Sequence, residues 1–478
     1  VDVHELGTAD GLARQARLEV ELPNLLVAIR YAETGAVAAA VTRAAVALLL
    51  FRGPVQQARA TLEHTLPRSD LSVDDRAGLH WLSGRVALVA ADDRAAEGAF
   101  EQARSSATWE GRANCWLARL RYRQGRHDEA RALLEAALSQ VRASGDRLLE
   151  GIVLDGLGLA EVQGSEEARA WLEQALAIHR QVGNVAFEGR TATNLGRQWA
   201  WRDPERERAY YQLALECAER IGNRRSVLVV RVNIGVSFRE DGRFDEAREQ
   251  FEAAIALSRT IGVPYQTVFA LGQLADLEAL RGDWPAALEA LRRGIELDDA
   301  IGRPLRGPLL DSLGQAELRL GRPEAARATL MASLSHRTTS GQTDRSPASL
   351  TRLAEVELAL GRLDQAREHV DRARLEGVPT PAQAAELAAA EAEARARAGQ
   401  LDAATRVLTE AQAVLDDNPS ALPRTVRLRG LVLARAQLRD RLLGAVSAKV
   451  LEAELDRLSE LMFPGHREEV EAVRQRLA

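Results

Sequence analysis

The residues that could do chemistry are scattered. Eight histidines (His4, His64, His80, His127, His179, His336, His369 and His466) stand singly, none at the i, i+4 spacing that turns two imidazoles onto one helix face for zinc. The expectation for each is a surface position or a hydrogen-bonded one. There is no Cys-x-x-Cys pair and no Gly-x-x-x-x-Gly-Lys loop to cradle a phosphate. Gly235-Val236-Ser237 lacks the closing glycine of a nucleophile elbow. Carboxylates abound, but beside arginines, as in Glu240, Asp245 and Glu249 with Arg243 and Arg248, where solvated ion pairs are the expectation. These patterns predict no catalytic set, no metal centre and no cofactor, and so a binding protein rather than an enzyme. A different set of polar residues recurs in register: Arg190, Asn194 and Arg197, then Asn233 and Arg239, then Gln273 and Asp276. Amides in such a row can donate and accept at once, which suits a peptide bond whatever its side chain.

What positions that row is a repeat. One ladder runs Gly125, Gly164, Asp203, Gly242, Gly282, Gly321, Gly361, Gly399, in steps of 38 to 40 residues. A second, Gly145, Gly183, Gly222, Gly262, Gly302, Gly341, keeps the same period. Glycine suits a helix C-terminus, which commonly ends in a left-handed residue. Each period therefore reads as two helices, with one ladder marking the turn inside the hairpin and the other the turn between hairpins. Small residues follow the inner turn at fixed offsets: Ala247 and Ala254 around Phe251 after Gly242, and Ala130 and Ala137 around Leu134 after Gly125. In the first helix Leu-Gly or Ile-Gly recurs, at Leu157-Gly158, Leu195-Gly196, Ile234-Gly235 and Leu313-Gly314. A mid-helix glycine costs about 1 kcal/mol against alanine, so its recurrence predicts close helix packing.

Ile234, Gly235, Phe238, Gly242, Ala247, Phe251 and Ala254 resemble the tetratricopeptide repeat position for position. The usual period is about 34 residues. The longer one here resembles repeats of the kinesin light chain type and of bacterial MalT-like regulators, over roughly residues 36–415. The repeat at Asp203 departs most, with Glu207 where alanine is expected. The resemblance implies an all-α fold, a right-handed α-solenoid or superhelix of about ten helical hairpins with helical caps. It also implies that first helices line a concave groove, where asparagines just before Leu-Gly grip an extended peptide. Asn194 and Asn233 match that position, Arg190 and Arg197 would add contacts to acidic groups, and Arg239, Gln273 and Asp276 would continue the groove. Trp199 and Trp201 flank the weak turn at Asp203, with Tyr210 and Tyr211 beyond. Trp199 takes the aromatic core position, which leaves Trp201 and one tyrosine as an aromatic anchor of the kind favoured in hot spots.

Charge and cysteine use narrow the class. At 478 residues with a formal charge of −6, the chain lacks the basic excess that phosphate neutralisation needs, so no nucleic-acid surface is expected. Lys449 is the one lysine, a bias of GC-rich bacterial coding. Cys115 and Cys217, about a hundred residues apart, suggest core thiols and a reducing cytoplasm rather than a disulfide framework. The apolar run 36–51 is short and interrupted by Arg43, which argues against a membrane span.

Three segments are expected: an N-terminal junction or capping helix over 1–35, the repeats over 36–419 with weaker hairpins turning near Gly53 and Ala91, and a C-terminal helical cap over 420–478. Glu21, Asn24, Leu25 and Ala28, spaced Glu-x-x-Asn-Leu-x-x-Ala, resemble the helix that joins the ATPase part of bacterial STAND-type signalling proteins to their repeats. On that resemblance the chain is a piece of a larger protein whose ATPase or effector module lies outside it. The expected role is a sensor and scaffold taking a protein, peptide or small ligand in its groove. The alternative is a free-standing scaffold or peptide receptor that assembles a complex.

Overall fold

Short polar residues start the helices and glycines end them. Ser72, Asp92, Asp146, Ser165, Asn184, Asp203 and Asp283 each accept a backbone N–H three residues on, satisfying a donor the first turn leaves open. At the other end Gly262 sits at φ 67°, and its N–H returns to the carbonyls of Ser258 and Arg259. Gly242 does the same duty inside that hairpin at φ 74°. Every glycine of the two ladders that falls among the described residues has positive φ. At Asp203, where the ladder lacks glycine, the side chain caps Arg206 N–H and Pro204 opens the next helix, so the turn is made by a cap instead.

The computed structural model describes residues 9–416, apart from 53, 91, 125, 162–163, 201, 303–304, 341–345 and 378–380. The C-terminal cap expected over 420–478 lies outside the described residues, as do Gly125, Gly341 and Trp201. Helix α1 (Ala9–Arg30) precedes ten hairpins. They are α2 (Gly35–Arg52) with α3 (Val55–Thr65), α4 (Val73–Val89) with α5 (Asp93–Ala103), and α6 (Ala107–Arg123) with α7 (His127–Ser144). Next come α8 (Arg147–Ala160) with α9 (Glu166–Gln181), α10 (Val185–Trp199) with α11 (Pro204–Arg220), and α12 (Arg224–Glu240) with α13 (Phe244–Ile261). The last four are α14 (Pro264–Arg281) with α15 (Trp284–Ala300), α16 (Arg306–Arg319) with α17 (Pro323–Ser340), α18 (Ser346–Ala359) with α19 (Leu363–Glu376), and α20 (Pro381–Arg397) with α21 (Leu401–Asp416). The described residues form no strand, and no helix among them is long and apolar enough to cross a membrane.

The chain divides into two compact units, Val1–Val227 and Leu228–Ala478. Within each, first helices of successive hairpins touch one another (α4 with α6, α6 with α8, α8 with α10; α14 with α16, α16 with α18, α18 with α20). Second helices of successive hairpins make no comparable contact among the described residues. The first helices therefore form the tighter, inner row, and side chains projecting from it share one face.

The small residues work as their spacing predicts. A Cβ on Gly235 would lie 2.6 Å from the Phe251 ring, so the glycine lets that ring press against α12. Ala247, Phe251 and Ala254 are fully buried there with Leu228, Val232 and Leu271. In the Asp203 hairpin Tyr211 takes the place of Phe251 and is buried, while Tyr210 is half-buried. Trp199 is half-buried beneath the guanidinium groups of Arg169 and Arg206, 4.8 and 4.6 Å from its ring centre.

Candidate functional site: the inner row of first helices

Two of the register residues turn inward to a buried acid. Asp155, in the middle of α8, is fully buried and accepts three hydrogen bonds, all from α10. Arg190 Nη2 donates at 2.6 Å, Thr191 Oγ1 at 2.9 Å and Asn194 Nδ2 at 2.9 Å. Burial alone would raise the carboxyl's pKa, but Arg190 and Arg119 outweigh it and hold the group below its ordinary value. Asn194 is thus 8% exposed and committed to the preceding repeat, not an open groove amide. Arg190 also lies 4.1 Å from the Phe187 ring centre. Arg197 is exposed.

The other unit holds the same arrangement in the same register. Asp311 and Asp155 both stand three residues before the glycine of their Leu-Gly pair, at Gly314 and Gly158. Asp311 accepts from Ser349 Oγ and Ser333 Oγ, each at 2.7 Å. Ser349 is the register equivalent of Thr191, and Arg352, 3.8 Å away, of Asn194. The cation is supplied differently: the buried Arg337 of α17 bonds to Asp311, whereas Arg190 comes from the next first helix. Arg337 stands four residues before its inter-hairpin glycine position, and so does His179 before Gly183.

His179 corrects the expectation of surface or bonded histidines. It is fully buried against Phe187, its ring nitrogens without hydrogen-bond partners among the described residues, and burial lowers its pKa to about 4. The imidazole is therefore neutral. The arginines correct a second expectation. Arg131, Arg248 and Arg327, each six residues after the inner turn, reach 30 residues ahead, to Glu161 at the end of α8 and to Glu278 and Glu357 within α14 and α18. Glu278 and Glu357 are buried, so these pairs link hairpins. Arg243 with Glu246 is the exposed kind.

In α12 and α14 three sequence-predicted residues do meet. Arg239 donates to Gln273 at 3.1 Å and to Glu240 at 3.0 Å, with Asp276 4.0 Å away. Asp276 accepts from Ser312 at 3.3 Å. Its side chain is 46% exposed, yet the helices around it thin the bulk solvent and push its carboxyl pKa up, against the pull of Arg239 and Arg352. Glu355 is raised for the same reason. Asn233 is half-buried and has no hydrogen-bond partner among the described residues, so its amide has both donor and acceptor to offer.

A pocket on the same row was not foreseen. A cavity of about 270 Å³ opens between α6, α7 and α8, walled by Leu88, Trp116, Tyr122, Leu134, Leu159 and the stem of Arg119. Trp116 stands two residues before Ala118, the register of Asn194 before Gly196. The signal was present, but Leu117-Ala118 hides the Leu-Gly landmark. The guanidinium groups of Arg85 and Arg119 lie 4.0 and 4.7 Å from the Trp116 ring centre. Among the described residues no group of three or more histidine, cysteine or acidic side chains is placed to hold a metal ion.

A search of curated proteins finds no relative of this sequence. The structure is similar to a Rap protein solved complexed with Competence and Sporulation Factor, 16% identical over 71% of this chain and 97% of that one, with a TM-score of 0.53. It is similar to the apo quorum sensor NprR from B. thuringiensis, 13% identical over 76% of this chain and 99% of that one, TM-score 0.52. A STAND protein with a tetratricopeptide repeat sensor from Pyrococcus horikoshii is more distant, 15% identical over 64% of this chain and 50% of that one, TM-score 0.45. Tetratricopeptide-repeat family profiles match residues 109–181, 226–300 and 312–385. With the period, the paired helices and the glycine and alanine register, these matches identify the matched residues as tetratricopeptide repeats of long period.

Proposed function

We propose that the array is a binding scaffold that takes a protein or peptide segment along the inner row of first helices, and that it serves as the sensor part of a STAND-type or MalT-like regulator. The observation that carries the binding reading is the row itself. Within each unit successive first helices touch, so its hairpins contribute side chains to one face of that unit: Arg85, Trp116 and Arg119 in the first, and Gln273 and Asp276, met by Arg239 of α12, in the second. Helices in contact lie about 8–10 Å apart, roughly the length of two or three residues of extended chain. The shared fold with a Rap protein solved with a bound factor and with a quorum sensor supports ligand capture as a use of this architecture.

The regulator reading rests on α1, where Glu21 and Asn24 of the junction pattern bond to each other at 2.8 Å on an exposed face. A free-standing scaffold remains the rival. A cytoplasmic setting accords with two buried free thiols, whose pKa values burial pushes up to about 11.

A photo-crosslinking amino acid placed at position 233 or 273 should capture the native ligand, while one at the exposed position 289 on α15 should not. Equal capture at all three positions would remove the inner row as the binding surface. Fusing the chain to an ATPase module would separate sensor from scaffold: turnover that ignores the captured ligand leaves only the scaffold.

A further inference from the structure

Three large apolar side chains stand open on first helices of the second unit: Val229 on α12, and Tyr265 and Phe269 on α14. Phe269 and Tyr265 lie one and two turns before Gln273, and Asp276 continues the same helix face. Val229 holds the matching place on α12, four residues before Asn233, as Phe269 stands four before Gln273. The Arg239–Gln273 hydrogen bond joins the two helices on this side. Single apolar groups on a surface need no explanation, but aromatics aligned along one face mark a contact surface.

The other end of that face is acidic. Asp276 of α14, Glu355 of α18 and Glu386 of α20 all act on Arg352, which also lies 3.8 Å from Asp311. Neighbouring arginines are engaged: Arg337 bonds to Asp311, and Arg239 to Glu240 and Gln273. Asp276 has long contacts, with Ser312 at 3.3 Å and Arg239 at 4.0 Å. Glu355 and Glu386 make no hydrogen bond or ion pair among the described residues. Burial outweighs the pull of the arginines, so the carboxyls of Asp276 and Glu355 sit above their ordinary pKa. A further cation arriving at this edge would stabilise their charged forms.

Spacing along α14 sets the shape of the occupant. Phe269 and Asp276 are seven residues apart, a rise of about 10 Å along a helix. An extended chain covers that length in about three residues.

We infer that the inner row of the second unit takes a basic peptide segment, laying a leucine- or phenylalanine-sized side chain on Val229, Tyr265 and Phe269 and setting a lysine or arginine against Asp276. Glu355 and Glu386 add to the field that draws the cation, and Asn233 offers its amide to the peptide backbone. The inference rests on the scaffold reading and narrows it to a ligand class and a place.

The test is selection from a phage-displayed random dodecapeptide library on the full chain, followed by fluorescence anisotropy with a labelled selected peptide. Selected sequences should carry Lys or Arg roughly three positions from Leu, Phe or Tyr. Changing that cation to Glu should weaken binding about tenfold or more, and Phe269→Ala should weaken it similarly. Asp276→Lys should weaken the original peptide and restore affinity for the Glu-containing one, a swap that a merely structural role for Asp276 would not produce. Glu289→Gln on the outer helix α15 should change neither affinity. Melting curves accompany the variants, and the peptide-side change decides the ligand class without any of them.

Enrichment of acidic or uncharged sequences, or equal affinity for the Lys and Glu peptides, would overturn the basic class and leave the scaffold reading standing. Basic peptides whose affinity neither Phe269→Ala nor Asp276→Lys alters would overturn the place. Enrichment of nothing would overturn both the inference and the scaffold reading. A dimer of the full chain that light scattering shows to be lost on Phe269→Ala, and that no selected peptide dissociates, would give the face to a second copy and overturn the peptide.

Discussion

Asn194 donates its side-chain amide to Asp155 at 2.9 Å across 39 residues, one full repeat. The same period that marks the turns thus spans a buried hydrogen bond between adjacent first helices. This changes what the register position does: at Asn194 it ties hairpins together, and at Asn233 it stays available.

The two asparagines should therefore part company on mutation. Asn194→Ala is expected to lower unfolding free energy by about 1–2 kcal/mol, the cost of removing a donor from a buried carboxylate. Asn233→Ala should change stability by less than about 0.5 kcal/mol, as surface substitutions usually do, and weaken ligand capture instead. Urea melts and a binding titration on both variants check the split. Equal loss of stability would make Asn233 structural as well.

His179 sets a pH dependence. Its pKa of about 4 in the folded chain lies below the ~6.5 of an unfolded histidine. A depressed folded pKa means that stability is fully present above the unfolded value and is lost as pH falls from about 6.5 toward 4. Linkage puts the loss between pH 7 and pH 5 at about 2 kcal/mol from this residue. His179→Leu should flatten the slope by that amount in urea melts at the two pH values. An unchanged slope would mean the ring finds solvent or a partner.

Two glycines give opposite expectations. At Gly235 an added methyl would meet the Phe251 ring at 2.6 Å, so Gly235→Ala should destabilise by about 1–3 kcal/mol through overpacking. At Gly98 in α5 nothing lies within 4 Å, and Gly98→Ala should stabilise by about 0.5–1 kcal/mol from helix propensity and chain entropy. Thermal melts of the pair separate packing from propensity.

The inter-hairpin arginines should outweigh the surface ones. Arg248→Ala leaves Glu278, 3% exposed, short of its main partner, and should cost about 1–3 kcal/mol. Arg243→Ala loses an exposed pair with Glu246 and should cost less than about 0.5 kcal/mol. Denaturant midpoints on the two single variants decide it.

Calorimetry at micromolar protein should show no saturable ATP binding by the chain, since its sequence holds no phosphate loop. A measurable isotherm would place a nucleotide site inside the repeats.

The architecture was legible because its signal is periodic. Gly242, Gly262 and Gly282 announce turns by a conformation few other residues adopt, and Gly235 with Phe251 announces a contact. The site was less so. Arg239, Gln273 and Asp276 were placed together by register alone, and they do meet. Register could not say that Asn194 faces inward, because that depends on an aspartate 39 residues earlier. Nor could it find Trp116, whose landmark glycine is alanine. Arg248 looked like a member of a local charge cluster because its true partner, Glu278, is 30 residues away.

The joints anchored by Asp155 and Asp311 also bear on modularity. Hairpins that meet through alanines and leucines can in principle be shuffled, since one apolar face accepts another of similar relief. These two cannot. A hairpin following α8/α9 must bring hydroxyl and amide donors where Thr191 and Asn194 stand, and one following α16/α17 must bring a hydroxyl where Ser349 stands. Any other neighbour would strand a buried acid. Each joint is in effect a lock cut for one key, fixing the order of parts in a chain whose units otherwise look interchangeable.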